Sequence, residues 1–125
     1  MLVGPVDTIA RRGDRVQLNC SSSLSVTVKW TLTRPSTDGF RTIFEQTSDK
    51  KGAILPSFKD RFTVSNVGDG FQNLVIENVS LSDAGLYYCM DDGGFGYSNG
   101  QWSKANLIVI GQCLQFIVVN YLNWR

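Results

Sequence analysis

Histidine is absent from the 125 residues of this chain. That removes the commonest general base and the commonest metal ligand, and lowers the expectation of an enzyme without excluding a carboxylate or lysine mechanism. Charge is also scarce, at 18% of residues, and nearly balanced: twelve Lys and Arg against eleven Asp and Glu give a net charge of +1. Such a chain has no general electrostatic reason to seek nucleic acid or an anionic membrane. Its basic residues are scattered, with Arg11-Arg12 and Lys50-Lys51 the longest runs, so no nucleic-acid partner is expected. There are three Cys, at 20, 89 and 113. None stand in the close pairs of a zinc site, so no metal is expected. The glycine-rich run Gly93-Gly94-Phe95-Gly96 has neither the following Lys-Ser/Thr nor the helix of a phosphate loop. With no nucleophile motif and no cofactor signature, the expectation is a non-catalytic protein without a cofactor.

Amphipathic helix patterns are missing as well; alternation with period two takes their place. Val16, Leu18 and Cys20 share one parity. So do Val26, Val28, Trp30 and Leu32, and Phe62-Thr63-Val64-Ser65 and Leu74-Val75-Ile76-Glu77 continue the pattern. Leu107-Ile108-Val109-Ile110 is a short apolar run near the end. Turn-forming clusters separate these segments: Arg12-Gly13-Asp14, Pro35-Ser36-Thr37-Asp38-Gly39 and Val67-Gly68-Asp69-Gly70. Hydrophobic residues make up 42% of the chain, enough for one core in a domain of this length. Many short strands with frequent turns predict an all-β sandwich or barrel. Two widely separated Cys in such a chain read as a disulfide, which implies an oxidising compartment: secretion or a cell-surface ectodomain. Met1-Leu2-Val3-Gly4-Pro5 has neither the charged start nor the apolar stretch of a signal peptide. The expectation is that a leader has been removed and that Met1 is an addition.

Cys20, Trp30 and Asp83-Ala84-Gly85-Leu86-Tyr87-Tyr88-Cys89 together closely resemble an immunoglobulin V-set domain, and the resemblance runs from about residue 3 to about 110. It implies an antiparallel Greek-key sandwich of two sheets and about nine strands. The stretch between Trp30 and Arg61 leaves room for the two strands that distinguish the variable type. Phe40 to Glu45 would be the first and a short piece between Thr47 and Ala53 the second.

Several roles are implied by the resemblance. Cys20 and Cys89 would bridge the sheets, stabilising by roughly 4 kcal/mol in the chain-entropy account. Trp30 would pack on the bridge, with Leu18 and Leu74 in the same core. Tyr87 would form the tyrosine corner. Arg61 would pair with Asp83, fixing one end of the sandwich. Trp102 to Ile110 resembles the joining segment of antigen receptors, but Ser103 and Ala105 stand where that segment has its two glycines. The bulge those glycines permit, and the domain pairing that uses it, are therefore not expected. A single V domain ending this way also looks like the undiversified V–J proteins of early-diverging chordates such as amphioxus.

By the same resemblance three loops gather at one end: Ser21 to Thr27, Thr47 to Gly52 and Met90 to Gln101. The third is rich in Gly, Ser, Asn and aromatics, the chemistry of an adaptable binding loop. Phe95 and Tyr97 would anchor a protein or glycan ligand, with Asp91, Asp92 and Asn99 contributing polar contacts. The alternative is a flexible hairpin whose aromatics fold back on the sheet. A second interface is expected on the sheet face holding Phe40, Phe44 and Trp102, where an open apolar patch would pair two copies into a homodimer; the alternative for Phe44 is ordinary packing. Asn78-Val79-Ser80 and Asn19-Cys20-Ser21 match the glycosylation pattern, and Asn78, at a turn, is the better acceptor.

The chain thus divides into a V-type domain, 1–110, and a C-terminal tail, 111–125. The tail's apolar core is shorter than the about 20 residues a spanning helix needs, so any membrane anchor is expected outside this stretch. Two readings of the tail stand side by side. Either it is an extra strand at a dimer contact, with Phe116 buried there and the odd Cys113 bonded across, or it is a connecting segment.

Overall fold

The period-two segments form strands in the computed structural model, which describes residues 2–22, 28–33, 39, 41–46, 52–65, 72–91 and 101–111. In chain order they are β1 (Leu2–Val3), β2 (Thr8–Arg11), β3 (Val16–Leu18), β4 (Ser21–Ser22), β5 (Val28–Thr33), β6 (Arg41–Gln46), β7 (Gly52–Ile54), β8 (Phe62–Ser65), β9 (Asn73–Ile76), β10 (Gly85–Asp91) and β11 (Trp102–Ile110). Single 3-10 turns cover Pro56–Phe58 and Leu81–Asp83. Counting β1 with β2 and β3 with β4 as interrupted pieces of one strand each, this is the nine-strand plan of the variable type.

One sheet has six strands in the order β2-β11-β10-β5-β6-β7; the other has three, β3-β9-β8, with β1 and β4 pairing beside them. Neighbours are antiparallel except β2 and β11, which run parallel from Thr8↔Leu107 to Arg11↔Ile110. β2 is hard to recognise in the sequence. Its signal was weak, because Ile9 points outward and only the small Ala10 turns in. Gly13, with φ of +95°, makes the turn that follows, a conformation that suits a residue without a Cβ.

The core lies between the sheets. Trp30 and Leu32 from β5, Tyr87 and Cys89 from β10, and Leu107 and Val109 from β11 face Leu18, Phe62, Leu74 and Ile76 from the smaller sheet. A disulfide joins Cys20 to Cys89 through this core, with their Cα atoms 6.4 Å apart. The Trp30 indole is fully buried and its N–H donates to the Gln72 carbonyl at 2.8 Å.

Strict alternation fails in several places among the described residues, and two of them matter here. Between Trp30 and Thr31 the β5–β6 register shifts, so that Trp30 faces Phe44 while Thr31 faces Thr42. Ile43 is the extra residue, and both Ile43 and Phe44 turn into the core. In β9 all four residues are buried, Val75 included, flanked in register by Gln17 and Thr63.

Candidate functional site

Each end of the sandwich is closed by a different set of polar contacts. At one end the Arg61 guanidinium grips the Asp83 carboxylate with two hydrogen bonds, of 2.5 and 2.9 Å. The carboxylate is almost fully enclosed, while the guanidinium keeps about a third of its surface, 32%. The Ser80 backbone N–H adds a donor at 2.8 Å, and the Tyr87 hydroxyl donates to the Asp83 carbonyl. Burial pushes the Asp83 carboxyl up, but the Arg61 bond and the Ser80 donors outweigh it and hold it below its ordinary value. The same bond to Asp83 raises the Arg61 pKa. Each of these groups bonds another of the same cluster, which makes this end a structural clamp.

The opposite end carries the stems of the first and third loops. Asp91, the last residue of β10, is 6% exposed and points inward. Its carboxylate accepts from the Ser22 hydroxyl at 3.2 Å and from the Gln101 backbone N–H at 2.9 Å. The Asp91 N–H donates in turn to the Gln101 carbonyl, closing the base of the loop over residues 92–100. Gln101 reaches further: its side-chain carbonyl accepts from the Leu2 N–H at 2.7 Å, and Leu2 is the register partner of Ser22. One carboxylate and one carboxamide therefore tie β1, β4, β10 and β11 together under the loops.

The expectation for Asp91 needs correcting on this point. It is not a displayed ligand contact, because its carboxylate is consumed at the stem of the loop. The signal was present in the sequence. Asp91 has the parity of Tyr87 and Cys89, so extending the strand by one more inward position would have buried it. Ser22 and Gln101 were not singled out at all; neither residue type stands out until the stems are brought together.

The outer face of the six-stranded sheet is the second candidate surface. Trp102 is 60% exposed there, beside Tyr88 with ring centroids 5.9 Å apart, and the Lys104 ammonium lies 5.9 Å from the Trp102 centroid. The expectation for Phe44 is overturned. It is 2% exposed, paired with Trp30 and Ile54 on the inner face, and presents nothing to a second chain. The register shift described above is what turns it in. The β10–β11 register runs unshifted from Gly85↔Leu107 to Met90↔Trp102, so the strand that holds Ser103 and Ala105 contains no bulge. Gly4 packs so closely against Ser103 that a Cβ would overlap the serine side chain.

Asn78 sits exposed in the turn after β9, with φ of +49°, a conformation asparagine tolerates better than most residues. Asn19 is also exposed, and its side-chain carbonyl accepts from the Gln17 amide at 2.9 Å. Phe40, Asp92, Phe95, Tyr97, Asn99, Cys113 and Phe116 lie outside the described residues. So do the greater part of the stretch between Thr47 and Ala53 and, beyond Gly111, the tail. Among the described residues no cluster of His, Cys, Asp or Glu could hold a metal ion, and no helix is long and apolar enough to cross a membrane.

A disulfide-bridged sandwich with a tyrosine corner, a buried Arg–carboxylate clamp and a nine-strand plan defines an immunoglobulin-type domain of the variable kind. The immunoglobulin V-set family model matches residues 3–109, and the chain belongs to that family. Domains of this family are typically non-catalytic, and those with such a disulfide are typically extracellular. A crystal structure of chicken TCR is similar at a TM-score of 0.77 and 15% sequence identity, over 90% of this chain and 51% of that one. The chain thus spans about half the length of that solved chain, and the likeness is one of fold.

Proposed function

We propose that this domain is an extracellular, non-catalytic recognition module of the immune type, binding a protein or glycan ligand through the loops at the Asp91 end. The observation that carries this reading is the tie between Ser22, Asp91 and Gln101. It spends a buried carboxylate on fixing the stems of the first and third loops relative to each other. Stems held this way lower the ordering cost of binding through the loops above them. The residues between those stems include Phe95, Tyr97 and Asn99, a mix suited to adaptable contact. The test is a screen of the purified domain against immobilised glycans and ectodomains, repeated with Phe95→Ala/Tyr97→Ala. Binding lost in the variant at an unchanged melting temperature supports the reading; binding retained by the variant overturns it.

A second reading is an assembly module that pairs with its own kind across the outer face, as a homodimer. The exposed Trp102 favours it. Sedimentation of the wild type and of Trp102→Ala separates the two readings, since the loop variant leaves self-association intact and the Trp102 variant abolishes it. If Cys113 takes part, the dimer is disulfide-linked and falls apart under reduction.

A further inference from the structure

The outer face of the six-stranded sheet holds a groove of about 500 Å³. The described residues lining it are Lys29, Thr31, Thr42, Tyr88, Met90 and Trp102. Strand register sets them side by side. Met90 lies between Trp102 and Lys29, and Tyr88 lies next to Thr31, which faces Thr42. The walls are apolar and aromatic: the Trp102 and Tyr88 rings meet at 47°, and Met90 supplies an adaptable thioether beside them.

The groove carries charge of one sign. Lys29 lines it and Lys104 stands over Trp102 at its rim, while no described carboxylate lines it. Glu45 is the register partner of Lys29, yet no ion pair joins them; the ion pairs among the described residues lie at Arg15–Glu77 and Arg61–Asp83. The floor holds an unmet polar group. Thr31 is 2% exposed, and its hydroxyl has no hydrogen-bond partner among the described residues.

We propose that this groove binds a small aromatic anion. Its ring lies against Trp102 and Met90, and its carboxylate or sulfonate meets the Lys29 ammonium. The volume falls within the roughly 300–1,000 Å³ of small-molecule sites. A neutral ring would use the walls and leave Lys29 unanswered. An inorganic anion would meet Lys29 and leave the aromatic walls wet. An aromatic anion answers both features at once. The groove adjoins the loop end, since Met90 and Trp102 are chain neighbours of Asp91 and Gln101, but it opens on the sheet face, and neither reading depends on the other.

The test compares two probes of nearly equal shape, 1-anilinonaphthalene-8-sulfonate and its uncharged counterpart N-phenyl-1-naphthylamine. Both are titrated by fluorescence and by amide chemical shifts, at protein concentrations where sedimentation shows a monomer. The sulfonate should bind about tenfold more tightly than the amine, the worth of one charge-assisted contact. Its shifts should centre on Lys29, Thr31, Met90 and Trp102. Lys29→Met should erase the difference between the probes, and Trp102→Ala should weaken both by about tenfold. Melting temperatures confirm that each variant is folded. Equal affinity for the two probes, an unchanged sulfonate affinity in either variant, or shifts centred on the exposed Ile9–Ile108 pair would each overturn the proposal.

Discussion

The hydroxyl of Ser22 donates to the carboxylate of Asp91 across 3.2 Å, although 69 residues separate them in the chain. Ser22 leads into the first loop and Asp91 into the third, so a change in either stem is felt by the other. Replacing Asp91 by Ala removes the acceptor for both Ser22 and the Gln101 N–H and leaves two donors without it. The expected loss is about 1.5–3 kcal/mol in unfolding free energy, the range for bonds to a charged group, read from the denaturant midpoint. Asp91→Asn keeps a carbonyl acceptor and should lose less. Faster hydrogen exchange at the Gln101 amide in Asp91→Ala would place the damage at the loop stem.

The clamp at the other end should make stability depend on acid. The folded state holds the Asp83 carboxyl below its ordinary value, so the unfolded chain binds the proton more readily. The pair therefore contributes fully above the unfolded carboxyl pKa, about 4, and its contribution is lost as pH falls through the folded pKa. Melting temperatures from pH 7 to pH 2 should fall less steeply in Asp83→Asn than in the wild type. At pH 7, Arg61→Ala strands an enclosed carboxylate and should cost about 3 kcal/mol. Arg61→Lys should recover only part of that, because an ammonium cannot reproduce the two-pronged grip.

Two aromatic residues that the sequence placed on one surface should behave in opposite ways. Phe44→Ala empties core volume beside Trp30 and should cost about 3–5 kcal/mol. Trp102→Ala trims an exposed ring and should change the unfolding free energy by less than about 1 kcal/mol. Chemical denaturation of the two variants side by side measures both. Equal losses would contradict the inward turn of Phe44.

Cutting the bridge has a third signature. Cys20→Ala/Cys89→Ala should cost about 2–5 kcal/mol, the usual range for a small disulfide-bonded domain. The non-reduced protein should show no free thiol at either position by mass spectrometry after alkylation. Reduction of the wild type should lower its melting temperature toward that of the double variant.

The parts of the fold that could be read from the sequence are those in which one residue type meets one physical demand. Val16, Leu18, Trp30 and Leu32 are such positions, because alternation puts each on the inner face; the bridge and the tyrosine corner were legible through the family resemblance. The Arg61–Asp83 clamp was legible through the family resemblance and not from the residues alone. What escaped was register. The shift beside Trp30 places Ile43 and Phe44 on the same side, and period-two counting has no means of locating such a slip. Thr31 shows the same limit: alternation assigns it correctly to the outer face, yet neighbouring side chains close over it. Asp91 escaped for a different reason. Its parity pointed inward, but a carboxylate at a strand end reads as a loop residue unless the strand is extended to include it.

The parallel pairing of β2 with β11 has a mechanical consequence. Thr8 through Arg11 lie alongside Leu107 through Ile110, pointing the same way. A pull entering ahead of Thr8 and leaving beyond Ile110 would slide the two strands past each other along their length. Every rung of that short ladder is then strained together, instead of parting one after another as in a hairpin opened from its end. Strands β3 through β10 lie between these two in the chain, so they stay shielded from tension until all four rungs fail at once.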